Sequence, residues 1–218
     1  MNLSNIIIFD IKNSFIQEAK RLEKYGIKVL NSDVKELINS FSIGAIVSPA
    51  NSFGFMDGGI DKIYSEIFPN IQHKVQNKIK SFGLLTNGGG QYYLPIGSSI
   101  TIPTMNTKCP YLISAPTMFF PGNIKNTENV FFAFLSIIYI AKMNPSTIIA
   151  CPGLGTGVGM LDDKYAVDQI ELAIINYDKF ISSNEYLELV KYKDKMNIVI
   201  KKIPCIQPNN SANREILF

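Results

Sequence analysis

Glycine occupies every second position from 153 to 159 in Cys151-Pro152-Gly153-Leu154-Gly155-Thr156-Gly157-Val158-Gly159-Met160. Glycine permits positive φ and lets backbone N–H groups come close to a ligand. Successive N–H groups can ring an anion, and a helix that follows adds its partial positive end. An apolar run at 147–151 precedes the loop as a strand would, and 162–177 follows it with helical spacing. The chemistry this suggests is the cradling of a diphosphate. Two common nucleotide fingerprints are excluded: G-x-G-x-x-G fails at Val158 and Met160, and no G-K-[ST] follows. The competing reading is a glycine-rich turn at a tight packing corner.

A second stretch also leaves a buried run and enters helical spacing: Val47-Ser48-Pro49-Ala50-Asn51-Ser52-Phe53-Gly54-Phe55-Met56-Asp57-Gly58-Gly59-Ile60-Asp61. Ligands of open α/β sheets collect at the carboxyl ends of strands, so two such loops can converge there. The Asn51 amide can both donate and accept, which suits a ribose hydroxyl or an ordered water. Gly58 and Gly59 allow close backbone approach. Asp61, just inside the helix start, is the nearest general-base candidate. The plainer reading makes Asp57 and Asp61 helix caps and Asn51 a turn residue.

The elements that must position these loops read as strands at 5–11, 27–30, 44–48, 111–116, 147–151 and 197–202. A hairpin of 91–94 with 98–102 is expected around Pro95–Gly97. Helices are expected at 14–25, stopped by Gly26, at 33–41, at 60–82 with a break at Pro69, at 127–143 and at 162–177. Residues 207–218 read as a loose tail. Short apolar strands alternating with helices imply a three-layer α/β/α arrangement around a mixed sheet. No linker divides the 218 residues, so a single domain over 1–218 is expected.

A net charge of +3, from 21 basic and 18 acidic residues, is too weak to argue for nucleic acid or an anionic membrane. No run reaches the roughly 20 apolar residues of a membrane span. Three cysteines at long spacings and a single histidine, His73, argue against a zinc site and for a reducing, cytoplasmic setting. Cys151 abuts the glycine loop, but the buried small-hydrophobe reading is preferred to a nucleophile. Tyr92, Tyr93, Phe119, Phe120 and Tyr177 are aromatic side chains that can stack on a base, with core packing as the default.

Taken in order, these pieces resemble the macrodomain family, whose members bind ADP-ribose. The matching residues are Asp33-Val34, Val47-Ser48-Pro49-Ala50-Asn51, Gly58-Gly59-Ile60-Asp61 and the glycine stretch 153–159, with 111–116 similar to the family's middle strand. The matched region runs from about 27 to 177. Ser48 stands where the family usually has its first asparagine, Pro49 replaces a small residue, and the middle strand lacks a histidine found in many members. The segment 88–103 resembles a variant group in which that region is elaborated.

The resemblance implies that Asp33 bonds the adenine amino group with Val34 beside it. It places Asn51 at the distal ribose, counts Ala50 among the ligand-binding residues, and sets Gly58, Gly59 and Ile60 along the diphosphate and ribose side. Gly153, Gly155, Thr156, Gly157, Val158 and Gly159 would wrap the phosphates. In hydrolytic members an aspartate matching Asp61 orients or activates the attacking water. The implied activities are hydrolysis of an ADP-ribosyl linkage, with Asn51 and Asp61 catalytic, or binding of ADP-ribose without turnover. The implied partners are ADP-ribose, an ADP-ribosylated protein or a metabolite, with nucleic acid only as a modified end and no metal or cofactor required.

Overall fold

The computed structural model describes residues 1–82 and 86–182. The strand expected at 197–202 and the tail at 207–218 lie outside the described residues.

The strands are β1 (Ile6–Asp10), β2 (Lys28–Asn31), β3 (Ala45–Ser48), β4 (Ile100–Asn106), β5 (Cys109–Ser114) and β6 (Ile149–Pro152). They form one sheet in the order β2-β1-β6-β3-β5-β4. Every pairing is parallel except that of β4 with β5. The helices are α1 (Asn13–Ala19), α2 (Val34–Ser40), α3 (Gly59–Ile67), α4 (Ile71–Phe82), α5 (Asn129–Met143) and α6 (Asp163–Ser182).

Side chains of a strand point alternately to its two faces. In β1, Ile6 and Ile8 enter a core with Phe15 of α1, Phe134 of α5 and Ile170 of α6. Ile7 and Phe9 enter a second core with Leu37 of α2, Tyr64 of α3 and Val75 of α4. The sheet is therefore covered on both faces, which is why its strands read as unbroken apolar runs. The result is the expected three-layer α/β/α arrangement with a mixed sheet.

Local chemistry sets the boundaries. The helix expected at 14–25 becomes α1 followed by a 3-10 segment, Lys20–Tyr25, and Gly26 ends it at φ +83°. Asp33 caps α2, its Oδ1 accepting from the N–H of Lys35 at 2.7 Å and of Glu36 at 2.9 Å. The break near Pro69 separates α3 from α4, with Asn70 at φ +59°. Helix α5 is apolar on most sides because it lies against both the sheet and α6. Its start is tied to α6 by buried Gln169, which accepts from Phe131 N and donates to Thr127 O.

The expected hairpin of 91–94 with 98–102 does not form. Residues 95–98 make a turn, with Ser98 N bonded to Pro95 O and Gly97 at φ +88°. That turn leads into β4, whose antiparallel partner is β5. Tyr92 instead bridges Thr86, and Leu94 N donates to Ser52 O, tying this segment to the first loop. β4 runs on through Pro103 beyond the strand expected at 98–102, and because it is an edge strand the missing N–H is tolerated.

Phe134 is fully buried where α5 meets the sheet and α6. Phe134→Ala is expected to cost about 3–5 kcal/mol by urea unfolding. A loss below about 1 kcal/mol would contradict this core assignment.

Candidate functional site

The parallel strands β1, β2, β3, β5 and β6 all deliver their carboxyl ends to the same side of the sheet. The loops that leave them enclose a cleft of about 440 Å³. Asp33, Val34, Ala50, Asn51, Gly58, Gly59, Ile60, Asp61, Gly153, Gly155, Thr156, Gly157, Val158 and Gly159 all line it. The two loops, about a hundred residues apart in the chain, are thus brought together.

The first loop is held like an extension of the sheet. Ala115 N bonds Ser48 O, Thr117 N bonds Ala50 O and Ser52 N bonds Met118 O, so the segment after β5 runs alongside it. Asn51 organises the turn: its Oδ1 accepts from Phe53 N and Phe55 N, and its Nδ2 donates to Phe55 O at 2.9 Å. The turn role therefore takes up most of the Asn51 amide, and one Nδ2 hydrogen remains. Gly58 precedes α3, and a Cβ added at Gly58 or Gly59 would meet nothing within 4 Å.

The glycines of the second loop have different tasks. Gly155 is at φ +73°, and a Cβ there would lie 2.6 Å from Leu161 Cδ1 and 2.9 Å from Val130 Cγ2. A Cβ at Gly159 would lie 2.5 Å from Gly155 O, and one at Gly153 2.3 Å from Asp10 Oδ2. A Cβ at Gly157 would meet nothing within 4 Å. The packing-corner reading thus holds for Gly155 and Gly159, while Gly157 faces open space. Met160 N and Leu161 N close the loop onto Gly157 O and Gly155 O. Among the described residues, no N–H from 153 to 159 donates a hydrogen bond, nor does any from 58 to 61. These two sets of unengaged amides are the cleft's principal donors.

Asp61 is not a cap. It is 7% exposed, and its Oδ1 accepts from the Ser48 hydroxyl at 2.6 Å. Burial pushes its carboxyl up to about 7, and the Ser48 hydrogen bond only partly offsets this. Ser48 stands out in the sequence only as a departure from the macrodomain pattern. Its pairing with a residue thirteen positions on needs the strand-to-helix geometry to be seen.

The cleft is acidic in its side chains. Asp10, Asp33, Asp57 and Asp61 line it, against one cation, Lys12, whose Nζ is 2.7 Å from Asp163 Oδ1. Asp10, Lys12, Thr117, Met118 and Pro121 were missed from sequence. The signal for them is positional, since each lies at or just beyond the carboxyl end of a parallel strand. None of Tyr92, Tyr93, Phe119, Phe120 and Tyr177 lines the cleft; its aromatic rings are Phe9 and Phe55. Tyr93, Phe119 and Phe120 instead cluster on Phe53, with Phe120 stacked on it at 4.6 Å between centroids. Tyr177 packs in the α5–α6 core.

Cys151 is fully buried, and burial pushes its thiol above the ordinary range, as it pushes Cys109 up to about 12. Such thiols are poor nucleophiles. Among the described residues no helix is long and apolar enough to cross a membrane.

Fold and cleft together define a three-layer α/β/α protein with an amide-lined cleft at the carboxyl end of its sheet. The chain belongs to the Macro domain family, whose model matches residues 47–170. An uncharacterized protein of Aquifex aeolicus (strain VF5) is 30% identical over 127 residues, covering 58% of this chain and 69% of that protein. Among solved structures, a mutant macrodomain of Oceanobacillus iheyensis with ADPR aligns at a TM-score of 0.50 and 17% identity, covering 73% of this chain and 89% of that one. DarTG of Thermosipho africanus, in complex with ADP-ribose, aligns at 0.50 and 16%, covering 74% and 47%. At these identities the likeness to the solved structures is one of fold. The family match begins in β3, so β1 and β2, which bring Asp10, Lys12 and Asp33 to the cleft, precede it.

The Asp61 carboxyl titrates well above its unfolded value of 3.8. The folded state then binds more protons than the unfolded one between about pH 4 and 7, so stability falls as pH rises through that window. Asp61→Asn is therefore expected to raise Tm above neutral pH, with the gain vanishing near pH 4. An equal Tm difference at both ends of the range would contradict the buried carboxylate. Gly155→Ala should lower stability by more than 1 kcal/mol, while Gly157→Ala should leave Tm within about a degree of wild type. The opposite order in thermal melts would contradict the division of tasks in the loop.

Proposed function

We propose that the protein binds the ADP-ribosyl group of a modified protein or metabolite in this cleft and hydrolyses its linkage. The diphosphate lies on the amides of 153–159, facing those of 58–61. Backbone donors, not a lysine or arginine, neutralise it. Asp33 keeps Oδ2 for the adenine amino group while Oδ1 caps α2. Asn51 offers its remaining Nδ2 hydrogen to the distal ribose.

The observation that carries the hydrolytic reading is the buried Asp61 carboxylate in a cleft with no free cation beside it among the described residues. Burying a carboxylate unpaired is costly, and a binding site for an anion gains nothing from it. A general base gains, because a carboxyl near 7 is matched to work at neutral pH. In the reaction, a water oxygen bonds to the anomeric carbon of the distal ribose and Asp61 takes the water's proton. The bond from that carbon to the modified group breaks with its electron pair on the leaving atom, and the proton held by Asp61 passes to that leaving group. No metal or cofactor is called for. A non-catalytic binding module is the second reading, favoured by the use of most of the Asn51 amide within its own turn.

Calorimetry is expected to give one-to-one binding of ADP-ribose in preference to AMP and NAD. Because the donors are backbone amides, affinity should change less than about threefold when salt is raised several-fold. Gly157→Ala should weaken binding at least tenfold. Turnover of a carboxylate-linked ADP-ribosyl peptide should rise with pH through about 7, as Asp61 ionises, and then level off. Asp61→Asn should lower it by roughly 10²-fold or more. Binding without turnover would leave the module reading; binding to none of the three nucleotides would overturn both.

A further inference from the structure

Behind Asp61 the sheet carries hydroxyl groups where an α/β core is normally apolar. Ser48 ends β3 and Ser114 ends β5, and the two are register neighbours on parallel strands. Ile46 and Leu112, two residues before them, both pack in the core under α2, α3 and α4. Ser48 and Ser114 therefore present their side chains to that same face. Both are buried, at 0% and 1% exposure. Their situations differ: the Ser48 hydroxyl donates to Asp61 Oδ1, while the Ser114 hydroxyl bonds nothing among the described residues.

We propose that Ser48 is a positioning residue, whose hydroxyl holds one oxygen of Asp61 against the sheet so that the other faces the cleft. This rests on the hydrolytic reading above and deepens it. The donor distance of 2.6 Å is that of a charge-assisted O–H···O⁻ bond, the stronger kind. Among the described residues no other side-chain donor reaches the carboxylate. The Tyr64 hydroxyl, one turn along α3, donates to Val47 O at 3.0 Å. Lys12 is engaged by Asp163. The remaining charged side chains lining the cleft among the described residues, Asp10, Asp33 and Asp57, are carboxyls and offer Asp61 no positive partner. The buried thiol of Cys151 on neighbouring β6 stays protonated.

Among the described residues Asp61 thus has one side-chain donor, and without it the buried carboxylate keeps no hydrogen bond to offset its burial. A serine suits the task because its hydroxyl reaches the carboxylate from a fully buried strand end. The macrodomain pattern usually places an asparagine there, a longer side chain. The Ser48–Asp61 pair is in this sense the chain's own solution.

The test follows the Asp61 carboxyl directly, by carbon-13 NMR titration of the full-length protein. Turnover of the carboxylate-linked ADP-ribosyl peptide and ADP-ribose affinity are measured on the same samples. Ser48→Ala should move the Asp61 midpoint upward and shift the acidic limb of the turnover profile with it. It should also lower kcat about tenfold, the worth of one hydrogen bond to a charged group, with KM and ADP-ribose affinity within about threefold of wild type. Ser48→Thr, which keeps the hydroxyl, should recover most of kcat. Ser114→Ala removes a buried hydroxyl from the same face without touching Asp61, and should titrate and turn over like wild type. Should Ser48→Ala not fold, Ser48→Cys, of similar volume with a weak donor, gives the same readings.

An unchanged Asp61 midpoint in Ser48→Ala or Ser48→Cys would overturn the proposal, as would an equal effect from Ser114→Ala. The titration needs no turnover. A wild type that binds ADP-ribose but never hydrolyses would defeat the hydrolytic reading, while the midpoint alone still decided whether Ser48 holds Asp61.

Discussion

Backbone N–H groups without acceptors are tolerated in a folded protein only where water or a ligand can reach them. The cleft depends on this constraint. Two runs of such amides, 58–61 and 153–159, are held at one end of the sheet with their donors unengaged. Neither run could stay so open without rigid support. The second is pinned by Gly155 and Gly159, whose lack of Cβ lets them press against Leu161, Val130 and Ile124. The first is pinned by the continuation of β3 beside the segment after β5, and by the Asn51 turn. The crossover from β2 to β3 skips over β1 and β6, and this topology sets the two loops face to face.

Against this amide-rich surface stands a set of carboxyls. Among the described residues lining the cleft a ligand carrying a diphosphate would meet no free side-chain cation, since Lys12 is paired with Asp163. Attraction must come from aligned N–H dipoles at short range, which favours shape and position over net charge. Of the carboxyls Asp61 is the extreme case, buried with one hydrogen bond among the described residues, from Ser48. A residue that lowers stability at neutral pH and lines a cleft is a common mark of a functional site.

Much of this was legible in the sequence because it rests on local patterns. Alternating glycines after an apolar run marked the second loop, and the run from Val47 to Asp61 marked the first. Gly26 and Asp33 announced a helix stop and a helix start through their own backbone chemistry. What escaped were relations across the chain. The pairing of β4 with β5 was hidden because the turn at Pro95–Gly97 suggested a local hairpin, whereas the partner of β4 comes from further along the chain. Asp10 and Thr117 carry no motif and reach the cleft only by standing past strand ends. The aromatic candidates misled because a ring's partners are set by tertiary packing; Phe119 and Phe120 gather on Phe53. Ser48 looked like a flaw in the pattern until Asp61 was found beside it.

The central claim is that one ligand contacts both amide runs at once. Amide chemical-shift mapping by NMR, with ADP-ribose added to isotope-labelled protein, tests it most directly. The account predicts that the N–H signals of 155–159 and of 58–61 move together along one saturable curve, while those of α5 stay in place. Shifts confined to one loop, or centred away from both, would contradict it.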